Sequence, residues 1–265
     1  YTLAERNNFY LSFAVAQKEP TRSDFTDRYK FAADDTYPSS EKLYDWELGY
    51  QYTAPRLSLG VNLYYMKYKD QLVPTGMVND DSNALNTNVP DSYRRGVELS
   101  ASWRATGWFT VGANATFSQN RIENYVDALK DSPTYGKELG DMTIAYSPDV
   151  IANAFLNFHH RGFEAVFHTQ HVGKQYLTNN ENDALSLDAY CVTNLNLAYT
   201  FRTRSARSVR LGLLINNLFN AEYESNGYGY SYMDTWSGPA PVRIDEAYYF
   251  PQAPLNVLAN VTVKF

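Results

Sequence analysis

The sequence predicts an all-β protein, an antiparallel up-and-down transmembrane β-barrel with about ten strands in this segment. Three observations carry that expectation. Apolar residues recur with period two through successive segments. The residues between them are Gly, Ser, Asn, Thr, Glu and Gln, which suit a wet lumen and not a dry core. The connections alternate between short turns and long polar stretches.

The segments justify this one by one. Phe9, Leu11, Phe13 and Val15 alternate with Tyr10, Ser12, Ala14 and Ala16. Tyr44, Trp46, Leu48, Tyr50 and Tyr52 alternate with Asp45, Glu47, Gly49 and Gln51. Leu57, Leu59, Val61, Leu63 and Tyr65 oppose Ser58, Gly60, Asn62 and Tyr64. Val97, Leu99, Ala101 and Trp103 oppose Gly96, Glu98, Ser100 and Ser102, and Phe109 to Phe117 repeats the pattern. Five more segments follow, around Ala152–Phe158, Phe163–Phe167, Thr193–Phe201, Val209–Ile215 and Leu255–Phe265. Most approach the roughly 9–11 residues that cross a bilayer at a tilt. Strands of a soluble sandwich run nearer five or six.

Composition agrees. Aromatic content is 15%, with 23 Tyr, a residue suited to the border between lipid and water. Mean hydropathy is -0.46, and no apolar run reaches the roughly 18 residues of a membrane helix. A helical membrane protein is thereby excluded, whereas a barrel hides its apolar residues by alternation. The net charge of -6 argues against nucleic acid as the main partner. The single cysteine, Cys191, excludes an intrachain disulfide framework and a multi-Cys zinc site. Tyr1–Asn8 has neither a basic nor an apolar leader segment, so a secretion signal is expected to lie upstream or to have been removed.

Short turns are expected at Ala54–Arg56, Thr106–Trp108, His159–Gly162 and Arg202–Ser208. Long stretches are expected at Glu19–Leu43, Gln71–Ser92, Glu123–Ala145, Leu177–Leu187 and Ala221–Ala247. Short turns on one side and long loops on the other characterise outer-membrane barrels. The short turns carry Arg56, Arg161, Arg202, Arg204 and Arg207, while the long stretches carry most acids, among them Asp34, Asp35, Asp80 and Asp81. Those acids read either as solvation of exposed loops or as an acidic outer mouth.

No P-loop, GxSxG or HExxH occurs, and no catalytic residue, cofactor or metal set is expected. His159 and His160 sit in a turn, while His168 and His171 lack ligating neighbours. Asn179–Asp183 offers oxygens for calcium without the spacing or glycine of an EF-hand, so a solvated loop is the simpler reading. The candidate contacts for a small molecule are Tyr228, Tyr230, Tyr232 and Trp236, beside Gly227 and Gly229. They read equally as an aromatic girdle above the membrane. Tyr93, Arg94 and Arg95 open the fourth strand and are candidates to face the mouth, where arginine suits anionic groups.

Five segments then resemble, in order, the C-terminal half of TonB-dependent receptors. They are Phe13–Phe25, Glu41–Tyr52 (EKLYDWELGYQY), Ser92–Trp103 (SYRRGVELSASW), Leu211–Tyr223 (LGLLINNLFNAEY) and Val257–Phe265. Asn216–Tyr223 is the most specific. The last segment resembles a barrel-insertion signal, with Val257, Val261, Val263 and the terminal Phe265. The resemblance implies that residues 1–265 form the C-terminal part of a 22-stranded plugged barrel, whose plug and earlier strands lie outside this chain. It implies outer-membrane lipid, TonB through the plug, the barrel-assembly machinery and a small-molecule cargo as partners. The cargo it implies first is a ferric siderophore or similar chelate. Haem is disfavoured, because Glu19–Leu43 has no His where haem receptors of the family carry one.

Two other readings stay open. A complete ten-stranded barrel would act as a pore or as an omptin-like surface protease, although the long stretches lack the His that such a protease needs. A soluble β-sandwich would need no detergent.

Overall fold

The computed structural model describes residues 2–3, 5–31, 37–79 and 83–265. Asp34, Asp35, Asp80 and Asp81 of the expected acidic mouth lie outside them. Ten long strands form one antiparallel sheet: β1 (Asn7–Lys18), β2 (Glu41–Thr53), β3 (Leu57–Val78), β4 (Ala84–Arg104), β5 (Phe109–Ile122), β6 (Val150–His160), β7 (Phe163–Val172), β8 (Tyr190–Phe201), β9 (Ser208–Asn216) and β12 (Asn256–Lys264). Between β9 and β12 the chain makes a separate hairpin, β10 (Glu224–Asp234) and β11 (Val242–Pro251). Each long strand of the main sheet pairs with its sequence neighbours, except that β9 passes over the hairpin to pair with β12. The sheet is not closed: β1 and β12 lie toward its two ends and are exposed along almost their whole length.

Register fixes which face each side chain takes. Leu11, Leu48, Leu63, Val97, Phe117 and Val150 are successive partners across six strands. Leu156, Phe167, Leu195, Ile215 and Val257 continue the same face. This apolar face is the exposed one, with Leu11 at 79% and Val261 at 65%. A water-soluble sheet would bury it, so the face demands an apolar surrounding. Opposite runs a polar row, Ser12, Glu47, Tyr64, Gly96 and Ser118.

Two aromatic belts bound the apolar face. At the end with long connections, Phe13, Trp46, Tyr65 and Tyr93 stand 5.1, 5.8 and 6.3 Å apart in sequence around the wall. At the short-turn end, Trp108, Phe109 and Phe158 cluster, and Tyr199 lies 5.9 Å from Phe201. On β4 the belts are marked by Tyr93 and Trp103. That stretch, at roughly 3.3 Å per residue and a tilt of about 40°, spans about 25 Å, the height of an outer-membrane apolar band.

Glycines on the polar face admit large rings from the next strand. A Cβ on Gly49 would fall 2.0 Å from the Tyr10 ring, and one on Gly112 would fall 2.4 Å from the Phe155 ring. The rings cover backbone that a side chain would otherwise shield.

The long connections hold more structure than a polar loop. Within Glu19–Leu43 lies a helix, α1 (Arg22–Phe31), started by Thr21 and Asp24. The Thr21 N–H donates to Asp24 Oδ2 at 2.7 Å, and the Asp24 N–H donates back to Thr21 Oγ1 at 3.4 Å, as in a capping box. Gln71–Ser92 is largely a continuation of β3 and β4, which run 22 and 21 residues and so rise well past the membrane band. Ala221–Ala247 contains β10 and the first half of β11.

Candidate functional site at the loop end

The long connections pack into a cap with two small cores. Val73, Val89, Ile122, Tyr125 and Ile144 form one, and Leu177, Leu185 and Leu187 the other. Burial in the first pushes the Tyr125 phenol up to about 12, with the Asp127 carboxylate adding to the shift. Asn179, only 1% exposed, joins three connections at once. Its Nδ2 donates to the Pro74 carbonyl at 2.6 Å, and its Oδ1 accepts from the Ala145 N–H at 2.7 Å. Glu181 accepts from the Thr143 N–H at 2.9 Å and pairs with Arg121. Asp183 pairs with Lys174 at 2.5 Å. The oxygens of Asn179–Asp183 thus tie the cap together.

The hairpin β10–β11 lies on this cap with two unlike faces. Gly227, Gly229, Ser231 and Met233 alternate with Tyr228, Tyr230 and Tyr232. The glycine face is seated: a Cβ on Gly229 would meet Leu185 at 3.1 Å and Leu177 at 3.3 Å, and one on Gly227 would meet Leu187 at 3.4 Å. The glycines therefore let the hairpin approach the second core. Ser231 Oγ donates to Asp245 at 2.6 Å on the same side.

The other face is a continuous aromatic surface. Tyr228 stacks on Tyr248 at 4.9 Å, Tyr230 lies 6.3 Å from Tyr248 and 6.4 Å from Tyr232, and Tyr232 lies 6.4 Å from Trp236 with rings 6° from parallel. At its centre is Glu246, which accepts from the Tyr230, Tyr248 and Tyr232 hydroxyls at 2.6, 2.9 and 3.3 Å. The hydrogen bond from Tyr230, followed by that from Tyr248, lowers the Glu246 carboxyl below its ordinary value. Reciprocally, the bond to Glu246 raises the Tyr230 phenol well above the ordinary tyrosine value. Four of the sequence-predicted residues, Tyr228, Tyr230, Tyr232 and Trp236, are thus brought together, and Glu246, which sequence reasoning counted only among loop acids, organises them. Its signal was available: Tyr230 and Glu246 are register partners of an alternating hairpin. Beneath Tyr230 and Tyr232 a hollow of about 310 Å³ extends to Met77, Val78, Leu129 and Lys130.

The other three predicted residues do not share a face. Arg94 is on the polar face, donates to Ser147 Oγ at 2.9 Å, and borders a hollow of about 360 Å³ with Glu47, Tyr64, Glu98 and Tyr146. Tyr93 stacks into the outer belt beside Tyr65, and the Arg95 guanidinium lies 5.2 Å over the Tyr93 ring. Alternation places Tyr93 and Arg95 on the apolar face, away from Arg94.

Asn216–Tyr223, the most specific motif, is a turn whose geometry explains its composition. Asn217 and Asn220 adopt φ of 51° and 52°, a region asparagine tolerates. Asn217 accepts from the Ala221 N–H at 2.8 Å and donates to the Ala221 and Ala253 carbonyls, and Asn220 Oδ1 accepts from the Leu255 N–H at 2.8 Å. Tyr223 stacks on Tyr190 at 4.5 Å. The motif fixes where the hairpin leaves the wall. Phe265, the last residue, is 93% exposed, and Val257, Val261 and Val263 share the apolar face of β12.

Comparison with known proteins gives these features a context. Residues 1–218 match the family described as TonB dependent receptor-like, beta-barrel. The fold is shared with the ferric yersiniabactin uptake receptor FyuA of Yersinia pestis, at TM-score 0.68 and 19% identity over 100% of this chain and 36% of that one. It is shared with the copper transporter OprC, at 0.70 and 19% over 98% and 38%, and with the ferric citrate transporter FecA, at 0.66 and 15% over 98% and 36%. The chain therefore spans little more than a third of the length of these structures.

Proposed function

This chain belongs to the TonB-dependent receptor β-barrel family, and we propose that it is the C-terminal part of the barrel wall and outer cap of an outer-membrane importer for a scarce nutrient. In this reading the remaining strands of a 22-stranded barrel and a plug complete the molecule, and TonB acts through the plug. The barrel-assembly machinery reads the terminal strand with Val257, Val261, Val263 and Phe265. Binding and transport are the activity, and no bond is broken. The cargo is a ferric siderophore or similar chelate, and the aromatic face of Tyr228, Tyr230, Tyr232 and Trp236 meets it. Arg94, on the polar wall below, would hold an anionic group as cargo descends; Tyr93 and Arg95 steady the wall at the outer belt.

The observation that carries this reading is the exposed aromatic face. Large rings left open to water on a rigid, twice-anchored hairpin are disfavoured unless something covers them. Flat rings around a single carboxylate offer stacking surface and a directed polar group, the mixture usual in small-molecule sites.

The test uses the full-length receptor in cells starved of iron and supplied with iron as citrate or as catecholate chelates. Uptake of at least one chelate should require TonB and should fall by tenfold or more when Tyr230 and Tyr232 are both replaced by Ala. TonB-dependent uptake that ignores this double change would leave the importer reading standing and remove the hairpin from it. Absence of TonB-dependent uptake for every iron chelate tried would turn attention to another cargo.

A further inference from the structure

At the short-turn end of the sheet the charge balance reverses. Arg6, Arg56, Arg104, Arg161, Arg202, Arg204, Arg207 and Lys264 lie there, against the acidic side chains Glu5 and Glu164 among the described residues. Glu164 is already engaged: Arg210 grips it at 2.7 and 2.9 Å, with His159 at 3.7 Å. Four of the cations converge. Arg161, Arg202, Arg207 and Lys264 surround an open hollow of about 940 Å³ whose remaining walls are Gly162, Thr200, Phe201, Ser208 and Phe265. Phe201 is a wall of the hollow and, with its register partners Val209 and Val263, part of the apolar face, so the hollow adjoins that face at Phe201. The lower aromatic belt, with Tyr199 5.9 Å from Phe201, sits at the same level.

We propose that this hollow binds the headgroup of an anionic glycerophospholipid of the inner leaflet. The phosphate meets Arg161, Arg202, Arg207 and Lys264, and the acyl chains lie along Phe201, Val209 and Val263. The combination decides the ligand class. Arginines fork onto phosphate oxygens, and the adjoining apolar row accepts hydrocarbon, which neither free phosphate nor an acidic peptide would use. The position, just past the aromatic belt, is where headgroups lie.

The proposal rests on the membrane reading of the apolar face, and its test separates the two. Full-length protein is placed in nanodiscs of phosphatidylcholine with a minor fraction of phosphatidylglycerol, and the lipid retained on release is counted by native mass spectrometry. Folding is checked by the heat-dependent gel shift of barrels. Phosphatidylglycerol should be retained in excess over its share. Replacing Arg161→Gln, Arg202→Gln and Arg207→Gln singly should each weaken that excess by up to roughly fivefold at low salt. The Arg→Lys versions should keep most of it, and Arg56→Gln, outside the hollow, should leave it unchanged. Retention in proportion to bilayer composition, or an excess indifferent to the three changes, would overturn the lipid site. Stripping of the excess by inorganic phosphate would reassign the hollow to a free anion. Protein that never enters the nanodisc would instead sink the membrane reading.

Discussion

In the wall, large side chains such as Leu11, Phe13, Leu48, Leu63, Phe117 and Val261 are turned outward and exposed. In the cap the order is that of a water-soluble protein. Val73, Ile122, Leu177 and Leu185 are almost fully buried, and Ser92, Thr178 and Asn179 are buried with hydrogen-bond partners. One chain thus follows two solvents. On the proposed membrane reading, backbone ladders and the bilayer stabilise the wall, while hydrophobic burial of a few side chains stabilises the cap. The hairpin β10–β11 belongs to the cap by its glycine face and to neither region by its aromatic face, which is why the functional reading settles there.

The comparison predicts that equal substitutions have unequal effects. Leu185→Ala should destabilise the cap by about 2–5 kcal/mol, the range for a filled core position. Protease cutting within 177–187 should accelerate while the gel shift of the barrel is unchanged. Leu11→Ala on the wall should leave both unaltered; an equal loss from the two changes would erase the distinction. The converse experiment introduces charge. Leu63→Arg should reduce folding in lipid bilayers by about 2–4 kcal/mol, because its register partner Val97 lies between the belt residues Tyr93 and Trp103, whereas arginine at Tyr135, exposed in the cap, should be nearly silent. Asn217→Ala should cost about 1 kcal/mol, because it removes the side-chain hydrogen bonds to the part-buried Ala221 backbone and to the Ala253 carbonyl at the wall–hairpin junction. Hydrogen exchange at Ala221 and Leu218 would register it.

The smallest expected effect concerns pH. The Glu246 carboxyl is lowered in the folded hairpin, first by Tyr230 and then by Tyr248. Its contribution is therefore present above the ordinary glutamate value of about 4.3 and is lost as pH falls through the lowered one. Trp236 stacks on Tyr232, so its fluorescence should change in that acid range. Glu246→Gln should abolish the acid transition. The same substitution should bring the Tyr230 phenol down toward the ordinary tyrosine range, read as earlier tyrosinate absorbance on raising pH. A titration identical in the two proteins would mean that Glu246 does not organise the ring.

Much of the wall was legible in the sequence because alternation is a local signal with a period of two, and the outward apolar side chains repeat it across every neighbour. The ten long strands and their order match that reading. The cap was harder to see. Gln71–Val78 and Ala84–Asp91 read as polar loop because, beyond the membrane, one face is no longer required to be apolar, although the ladder continues. Helix α1 had only the Thr21–Asp24 spacing to announce it. Gly227 and Gly229 were visible as glycines, but their purpose depended on Leu177, Leu185 and Leu187 arriving from another connection. At the candidate site, the tyrosines were legible by type, and the separation of Arg94 from Tyr93 and Arg95 followed from alternation alone.

In the proposed membrane reading the exposed apolar face meets lipid and the opposite face meets a wet lumen. Spin labels placed singly at residues 97, 98, 99 and 100 of the full-length protein, with Cys191 first changed to Ser, test it directly. In bilayers, labels at 97 and 99 should collide with dissolved oxygen, and labels at 98 and 100 with a water-soluble nickel chelate. Strict alternation is the predicted result; water access at all four positions would contradict the membrane wall.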